Sequence, residues 1–341
     1  MIFGHFRCTF ADRFTLSLRI CSKFKLLFTM YKGKVLFIDT AHPELTRLLQ
    51  EMGYECDYYP DYQRIDFLNI LKKYVGIIIR SKIKIDREIL EHALQLRFIA
   101  RVGAGMENID VEEAEKRKVI CLNAPEGNRD AVAEQAVGML LTLFNRLLIA
   151  DPEVRKGVWL REENRGIELG GKTIAIVGYG NTGSAFTRKL MGFDVKVMAY
   201  DKYKTGFGDE YVQEASMDQI YQQADIVSFH VPLTSETTYL FDKKMIAHFQ
   251  KPFFLINTSR GKVVKTADLM DALDSGKVRG ACLDVLEYEG LSFEAIQQSP
   301  EFARLTAMKN VILTPHIAGW TNESNIKMAQ ILAAKVRELK L

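Results

Sequence analysis

Thr173-Ile-Ala-Ile-Val-Gly-Tyr-Gly-Asn-Thr-Gly183 is the most informative stretch of this chain. A β-rich run meets Gly178-x-Gly180-x-x-Gly183, and helix-compatible residues follow at once. In a strand–turn–helix that holds a dinucleotide, each glycine answers a physical demand. Gly178 permits the tight turn, Gly180 lets the backbone approach a pyrophosphate, and Gly183 lets the helix pack closely on the strand. Amides near Asn181 and Thr182 at the helix start would face the phosphates, aided by the helix dipole. A second strand ends in Tyr200-Asp201, 18 positions after Gly183. A carboxylate there accepts bonds from ribose hydroxyls and repels a 2′-phosphate, which favours NAD over NADP.

On both sides of this turn, short β-branched runs alternate with helical stretches, the mark of α/β architecture with parallel sheets. One series runs Thr173–Val177, Val195–Tyr200, Ile226–Phe229, Phe253–Asn257, Gly280–Asp284 and Val311–Leu313. Six strands with intervening helices make a doubly wound (Rossmann) sheet, expected over residues 128–317. An earlier series, Val35–Ile38, Gly76–Arg80, Phe98–Val102 and Val119–Leu122, forms a smaller α/β unit with flavodoxin-like character. Pro43–Met52 and Asp86–Ala93 read as helices of that unit, Asp130–Leu148 as a long apolar helix, and about Asn322–Leu339 as a final helix.

A length of 341 residues suits about two domains. Residues 1–30 hold Arg7, Arg13, Arg19, Lys23 and Lys25 against Asp12, a net +4 that leaves the rest at −1 out of the overall +3. The body therefore carries no excess that would favour nucleic acid or an anionic membrane. No run reaches the roughly 18 apolar residues of a membrane span. Residues 1–30 also lack the apolar run of a secretory signal and are expected to be dispensable, with Met30 the effective start. Cys8, Cys21, Cys56, Cys121 and Cys282 are scattered. They read as free thiols in a reducing, cytoplasmic compartment, and no metal site is indicated.

Hydride chemistry beside a dinucleotide needs a cation to hold and polarise the substrate, an acid/base, and a group that tunes the acid/base. Three segments supply those types at strand ends. Ile256–Gly261 carries Arg260, Leu283–Glu289 carries Asp284, Glu287 and Glu289, and Leu313–Gly319 carries His316. Carboxyl ends of strands line the crevice of a parallel doubly wound sheet, so these segments should converge. His230 and His248 have no such company and read as packing or surface residues.

From Val35 onward the sequence resembles the D-isomer-specific 2-hydroxyacid dehydrogenase family. Besides the glycine turn, the resemblance is carried by Arg101–Asp110, Asn123–Asn128, His230–Thr234, Asn257–Gly261, Leu283–Glu289 and Thr314–Gly319. It implies a catalytic trio of Arg260, Glu289 and His316, and it selects Glu289 over Glu287, although Gly290 stands where the family usually has proline. Arg260 would bind the substrate carboxylate and carbonyl, His316 would exchange the hydroxyl proton, and Glu289 would hold the imidazole and favour its protonated form. The same resemblance implies that Val102 and Gly103 amides meet the substrate carboxylate. Ala104, Asn181, Thr182, Val231, Thr258, Ser259 and Asp284 would contact NAD. It also implies a substrate domain split between 31–127 and 318–341, a cleft that closes, and a homodimer formed through the helix near Ala131–Leu148.

The substrate would be a small 2-hydroxy or 2-keto acid. Ile79–Lys82 and Ala100–Gly105 are similar to segments of 3-phosphoglycerate dehydrogenases, in which two arginines, here Arg80 and Arg101, help bind a phosphorylated substrate. Surface arginines at strand ends are the other reading of that pair. A chain that stops after one C-terminal helix is expected to lack an amino-acid-binding regulatory module. Two alternatives stay open: a reductase of glyoxylate, hydroxypyruvate or another 2-keto acid, and an NAD-sensing corepressor-like scaffold without turnover. Formate oxidation fits less well, because it does not call for a glutamate beside the histidine.

Overall fold

The computed structural model describes residues 30–290, 297 and 299–341, so the amino-terminal extension lies outside the described residues except for Met30. Two parallel sheets organise the molecule. The first joins β1 (Gly33–Phe37), β2 (Tyr54–Tyr58), β3 (Tyr74–Ile79), β4 (Phe98–Arg101) and β5 (Ile120–Leu122) in the order β2-β1-β3-β4-β5. The second comprises β6 (Thr173–Val177), β7 (Lys196–Tyr200), β8 (Val212–Glu214), β9 (Ile226–Phe229), β10 (Phe253–Asn257), β11 (Val278–Leu283) and β12 (Val311–Leu313). Their order is β12-β11-β10-β9-β6-β7-β8. The central strands β3 and β10 are buried along their whole length, as parallel strands covered by helices on both faces must be. Both sheets reverse their winding beside their first strand, between β1 and β3 and between β6 and β9, and crevices open at the carboxyl ends of such pairs.

Two edge strands, β2 and β8, were not expected. Tyr54-Glu-Cys-Asp-Tyr58 and Val212-Gln-Glu214 are largely polar, and each is ordered by a ladder to one neighbour rather than by its own hydrophobic pattern. The long apolar helix starts at Pro125, not Asp130, and ends at Phe144. Proline at the first position costs no hydrogen bond there. Asn145 then folds its side-chain amide back onto the Leu141 carbonyl at 3.0 Å, and Arg146 enters the left-handed region at φ +54°. A second helix, Leu147–Arg155, leaves at a 60° bend. No single helix among the described residues is long and apolar enough to cross a membrane.

The helix Pro125–Phe144 packs Ala133, Ala136, Met139, Leu140 and Phe144 against the second sheet. The final helix, Asn322–Glu338, opens with a capping box in which Thr321 and Ser324 exchange side-chain and backbone bonds at 3.0 Å. It sends Met328, Leu332 and Val336, spaced by four, into the core of the first sheet beside Leu45 and Leu49. The chain thus crosses to the second sheet and returns, and the two crossings, near Asn123–Asn128 and Pro315–Trp320, both border the crevice between the sheets.

Candidate active site

A cleft of about 900 Å³ separates the two sheets, and loops from both line it. At one end is the glycine turn. Gly178 has φ +95°, and a Cβ there would lie 2.5 Å from the His230 carbonyl oxygen; a Cβ on Gly183 would lie 2.2 Å from the carbonyl oxygen of Gly178. Gly180 instead faces open space, where a ligand's phosphates could approach. Gly180 is also the N-cap of the helix Asn181–Leu190 and has no side chain to satisfy the first amides, which stay available to an anion. Asn181, Thr182, Val231, Thr258 and Ser259 line the cleft, and Ala104 lines it from the opposite wall. The buried Thr258 hydroxyl has no hydrogen-bond partner among the described residues. These features fit a dinucleotide. Asp201 lies just outside the cleft, its carboxylate accepting the amides of Tyr179 (2.8 Å) and Tyr203 (2.9 Å). It is therefore fixed against the glycine turn with lone pairs to spare.

The chemical end is built by three loops that follow strands. After β10, Asn257 clamps its own loop: its side-chain oxygen accepts from the Ser259 amide at 3.1 Å and hydroxyl at 2.7 Å, and its amide donates to the Arg260 carbonyl at 2.9 Å. After β12, His316 sits at φ +56°, an uncommon conformation for a side-chain-bearing residue. Its amide donates to the Asp284 carbonyl at 2.8 Å. The buried Asp284 carboxylate takes the amides of Ile317 and Ala318, each at 2.9 Å, and the Thr314 hydroxyl at 2.5 Å. Asp284 lines the cleft, and its visible work is to hold the histidine loop. After β11, Glu289 places Oε2 2.8 Å from His316 Nδ1, while its other oxygen accepts the Leu286 amide. An ionised Glu289 leaves the proton on Nδ1 and makes Nε2 the nitrogen for proton exchange. Glu287 points elsewhere, to the Tyr239 hydroxyl and the Thr266 amide, so the geometry also selects Glu289.

The facing wall carries Arg80, Arg101, Val102 and Gly103. Arg101 is pushed down to about 10 by burial and by the nearby charges of Arg260 and Arg80, which still leaves it charged at neutral pH. Arg80 places its guanidinium carbon over the Trp320 ring, 3.9 Å from the centroid, and donates to the Thr40 hydroxyl at 3.3 Å. One oxygen of Asp39 accepts three successive amides, of Arg80, Ser81 and Lys82, at 2.6–3.1 Å, and so fixes that loop. The expectation for the Val102 amide needs correction. It donates to the Ile79 carbonyl at 2.8 Å as a continuation of the β3–β4 ladder, and the Gly103 amide donates to the Arg101 carbonyl at 2.9 Å. Neither amide is open to a carboxylate in this structure. His230 is buried on the cleft wall against the Ser228 hydroxyl at 2.8 Å, and burial pushes it down to about 3, so it is neutral packing. His248 is exposed and stacks on Tyr221.

Sequence reasoning missed Glu107, whose carboxylate receives Arg260 Nε at 2.6 Å and Nη2 at 3.3 Å from across the cleft. It also missed Asp39, Asn257 and Trp320. The partners of Glu107, Asp39 and Trp320 lie far along the chain, where no local pattern signals them. Asn257 bonds within its own loop, and a polar turn-forming residue at a strand end was the signal that could have found it.

Comparison with known proteins points to one family. Residues 137–318 match the model of the D-isomer specific 2-hydroxyacid dehydrogenase, NAD binding domain. A D-3-phosphoglycerate dehydrogenase of Archaeoglobus fulgidus is 32% identical over 305 residues, covering 89% of this chain and 56% of that protein. A hydroxypyruvate reductase of Thermotoga maritima is 32% identical over 90% of this chain and 98% of its own. The chain thus spans little more than half the length of the phosphoglycerate dehydrogenases it matches. The solved D-lactate dehydrogenase of Aquifex aeolicus, complexed with NAD and lactic acid, superposes with a TM-score of 0.78 at 28% identity, covering 90% of this chain and 95% of that one. With a dinucleotide turn at one end of the cleft and an arginine and a glutamate-held histidine at the other, the chain belongs to the D-isomer-specific 2-hydroxyacid dehydrogenase family.

Proposed function

We propose that this chain interconverts a D-2-hydroxy acid and its 2-keto acid with NAD. The observation that carries the reading is the meeting of Arg260 with the His316–Glu289 pair in one cleft that also receives the glycine turn. NAD, when bound, supplies the hydride acceptor or donor. The chain's own residues do the remaining work. Arg260 holds the carboxylate and draws electron density from the C2 oxygen. In oxidation His316 Nε2 takes the hydroxyl proton as the C2 hydrogen leaves with its electron pair, and in reduction it returns that proton. Glu289 faces the imidazolium that forms, and Asp284 keeps the ring in place. The proposed division is a substrate domain of 31–127 and 318–341 and an NAD domain of 128–317.

Three guanidinium groups, Arg80, Arg101 and Arg260, line the cleft, more than one carboxylate needs. That favours a doubly anionic substrate of the 3-phosphoglycerate class. Glu107 offsets part of this charge, which favours the second reading, a reductase of glyoxylate or hydroxypyruvate. The test is NADH oxidation with glyoxylate, hydroxypyruvate and 3-phosphohydroxypyruvate. A kcat/KM highest for the phosphorylated acid supports the first reading, and a highest value for either of the others supports the second. Tight NADH binding without turnover of any 2-keto acid would instead indicate a scaffold.

A further inference from the structure

Arg260 is not held by its own loop alone. Its partner Glu107 belongs to the loop after β4, 153 positions away in the chain and on the other side of the cleft. The contact is two-pronged, Nε to Oε1 at 2.6 Å and Nη2 to Oε2 at 3.3 Å, and both side chains are mostly buried. A third donor, Nη1, goes to the Ser259 carbonyl at 2.6 Å. The fit is close: a Cβ on Gly105 would fall 1.9 Å from Arg260 Nη2 and 2.1 Å from Glu107 Oε2, so only glycine allows the pair to close there. Burial disfavours the charged form of Glu107, but the adjacent Arg260 guanidinium outweighs it and holds the carboxyl below its ordinary value.

A guanidinium has five N–H donors in a rigid plane. Glu107 takes one on Nε and one on Nη2, and Ser259 takes one on Nη1. One donor on each terminal nitrogen remains without a partner among the described residues. Those two donors are the pair a planar 2-keto acid needs, one for a carboxylate oxygen and one for the oxygen on C2. We propose that Glu107 is a positioning residue for the 2-keto acid: it grips the side edge of Arg260 and leaves the end of the fork to the substrate. The opposite role, a carboxylate that plugs Arg260 and must be displaced, would require Glu107 to occupy the end of the fork, which it does not. Glu107 also supplies negative charge beside Arg101 and Arg260, whose mutual repulsion would otherwise drive the two cations apart before substrate arrives. The inference rests on the assignment of Arg260 as the substrate-binding cation.

Three variants test it: Glu107→Ala, Glu107→Gln and Glu107→Asp, assayed by steady-state NADH oxidation with whichever of glyoxylate, hydroxypyruvate and 3-phosphohydroxypyruvate the parent reduces fastest. Gln fills the same space but sets an N–H against Arg260, so a mere packing role would leave Glu107→Gln normal. A positioning role makes Gln nearly as damaging as Ala, with KM for the acid raised about tenfold or more and kcat lowered. NADH affinity, read by fluorescence, should stay within about twofold, and Glu107→Asp, which keeps the charge, should recover part of the loss. A normal or lowered KM in Glu107→Gln overturns the proposal. Arg260→Met is the control for the underlying assignment. If it spares KM and kcat, the reading of Arg260 fails; if it is severe while Glu107→Gln is normal, only the role of Glu107 fails.

Discussion

His316 occupies a left-handed conformation that costs on the order of 1–3 kcal/mol for a residue with a side chain. It persists because Asp284 accepts two following amides and a hydroxyl, and because Glu289 fixes Nδ1. Strain of this kind is tolerated where a group must be aimed, and it sits here on the proposed proton carrier. Replacing His316 by Asn should lower kcat by about two to four orders of magnitude, with melting temperature and NADH binding nearly unchanged. A near-normal rate would remove it from the mechanism. Just outside the other end of the cleft, Asp201→Ala should raise KM for NAD more than KM for NADP if the carboxylate anchored beside Tyr179 repels a 2′-phosphate, as proposed. An unchanged preference between the two cofactors would reassign Asp201 to turn capping alone.

Among the elements, the strand–turn–helix from Thr173 to Leu190 was legible because all of its requirements are local: an apolar strand, three spaced glycines and a helix start. The final helix shows the contrary case. Its amphipathic spacing is visible, but nothing in that spacing says which sheet it covers, and contacts with Leu45 and Leu49 give the answer. Leu332 is fully buried in that core. Leu332→Ala should cost about 2–5 kcal/mol through lost burial and a residual cavity, read as a fall in the urea midpoint. An unshifted midpoint would mean that the helix docks only loosely. Edge strands β2 and β8 escaped the sequence reading because a short polar segment becomes a strand only when a neighbour offers its backbone.

At the scale of the molecule, the bend after Phe144 leaves Leu147, Leu148, Val154, Trp159 and Leu160 exposed next to one another in the chain, while the preceding helix is largely consumed by the second sheet. The family resemblance implies a homodimer through the helix near Ala131–Leu148, and the exposed Leu147 and Leu148 stand at the end of that stretch, where a partner would cover them. Light scattering should return twice the chain mass, and Leu148→Glu should return the single mass; a monomer at every concentration would refute the dimer. The alternation of apolar runs and helical spacing already specified two parallel α/β units, because it rests on short-range periodicity; strand-end positions also pointed to Arg260 and His316, whereas Glu287 and Glu289 were told apart by the family resemblance. The pairing of Arg260 with Glu107, the stacking of Arg80 on Trp320 and the withdrawal of the Val102 amide into the β3–β4 ladder became visible only in the folded chain. Each depends on atoms far apart in the chain, or on which of several acceptors a backbone amide meets, and such matters are settled by how the sheets and their loops pack in space.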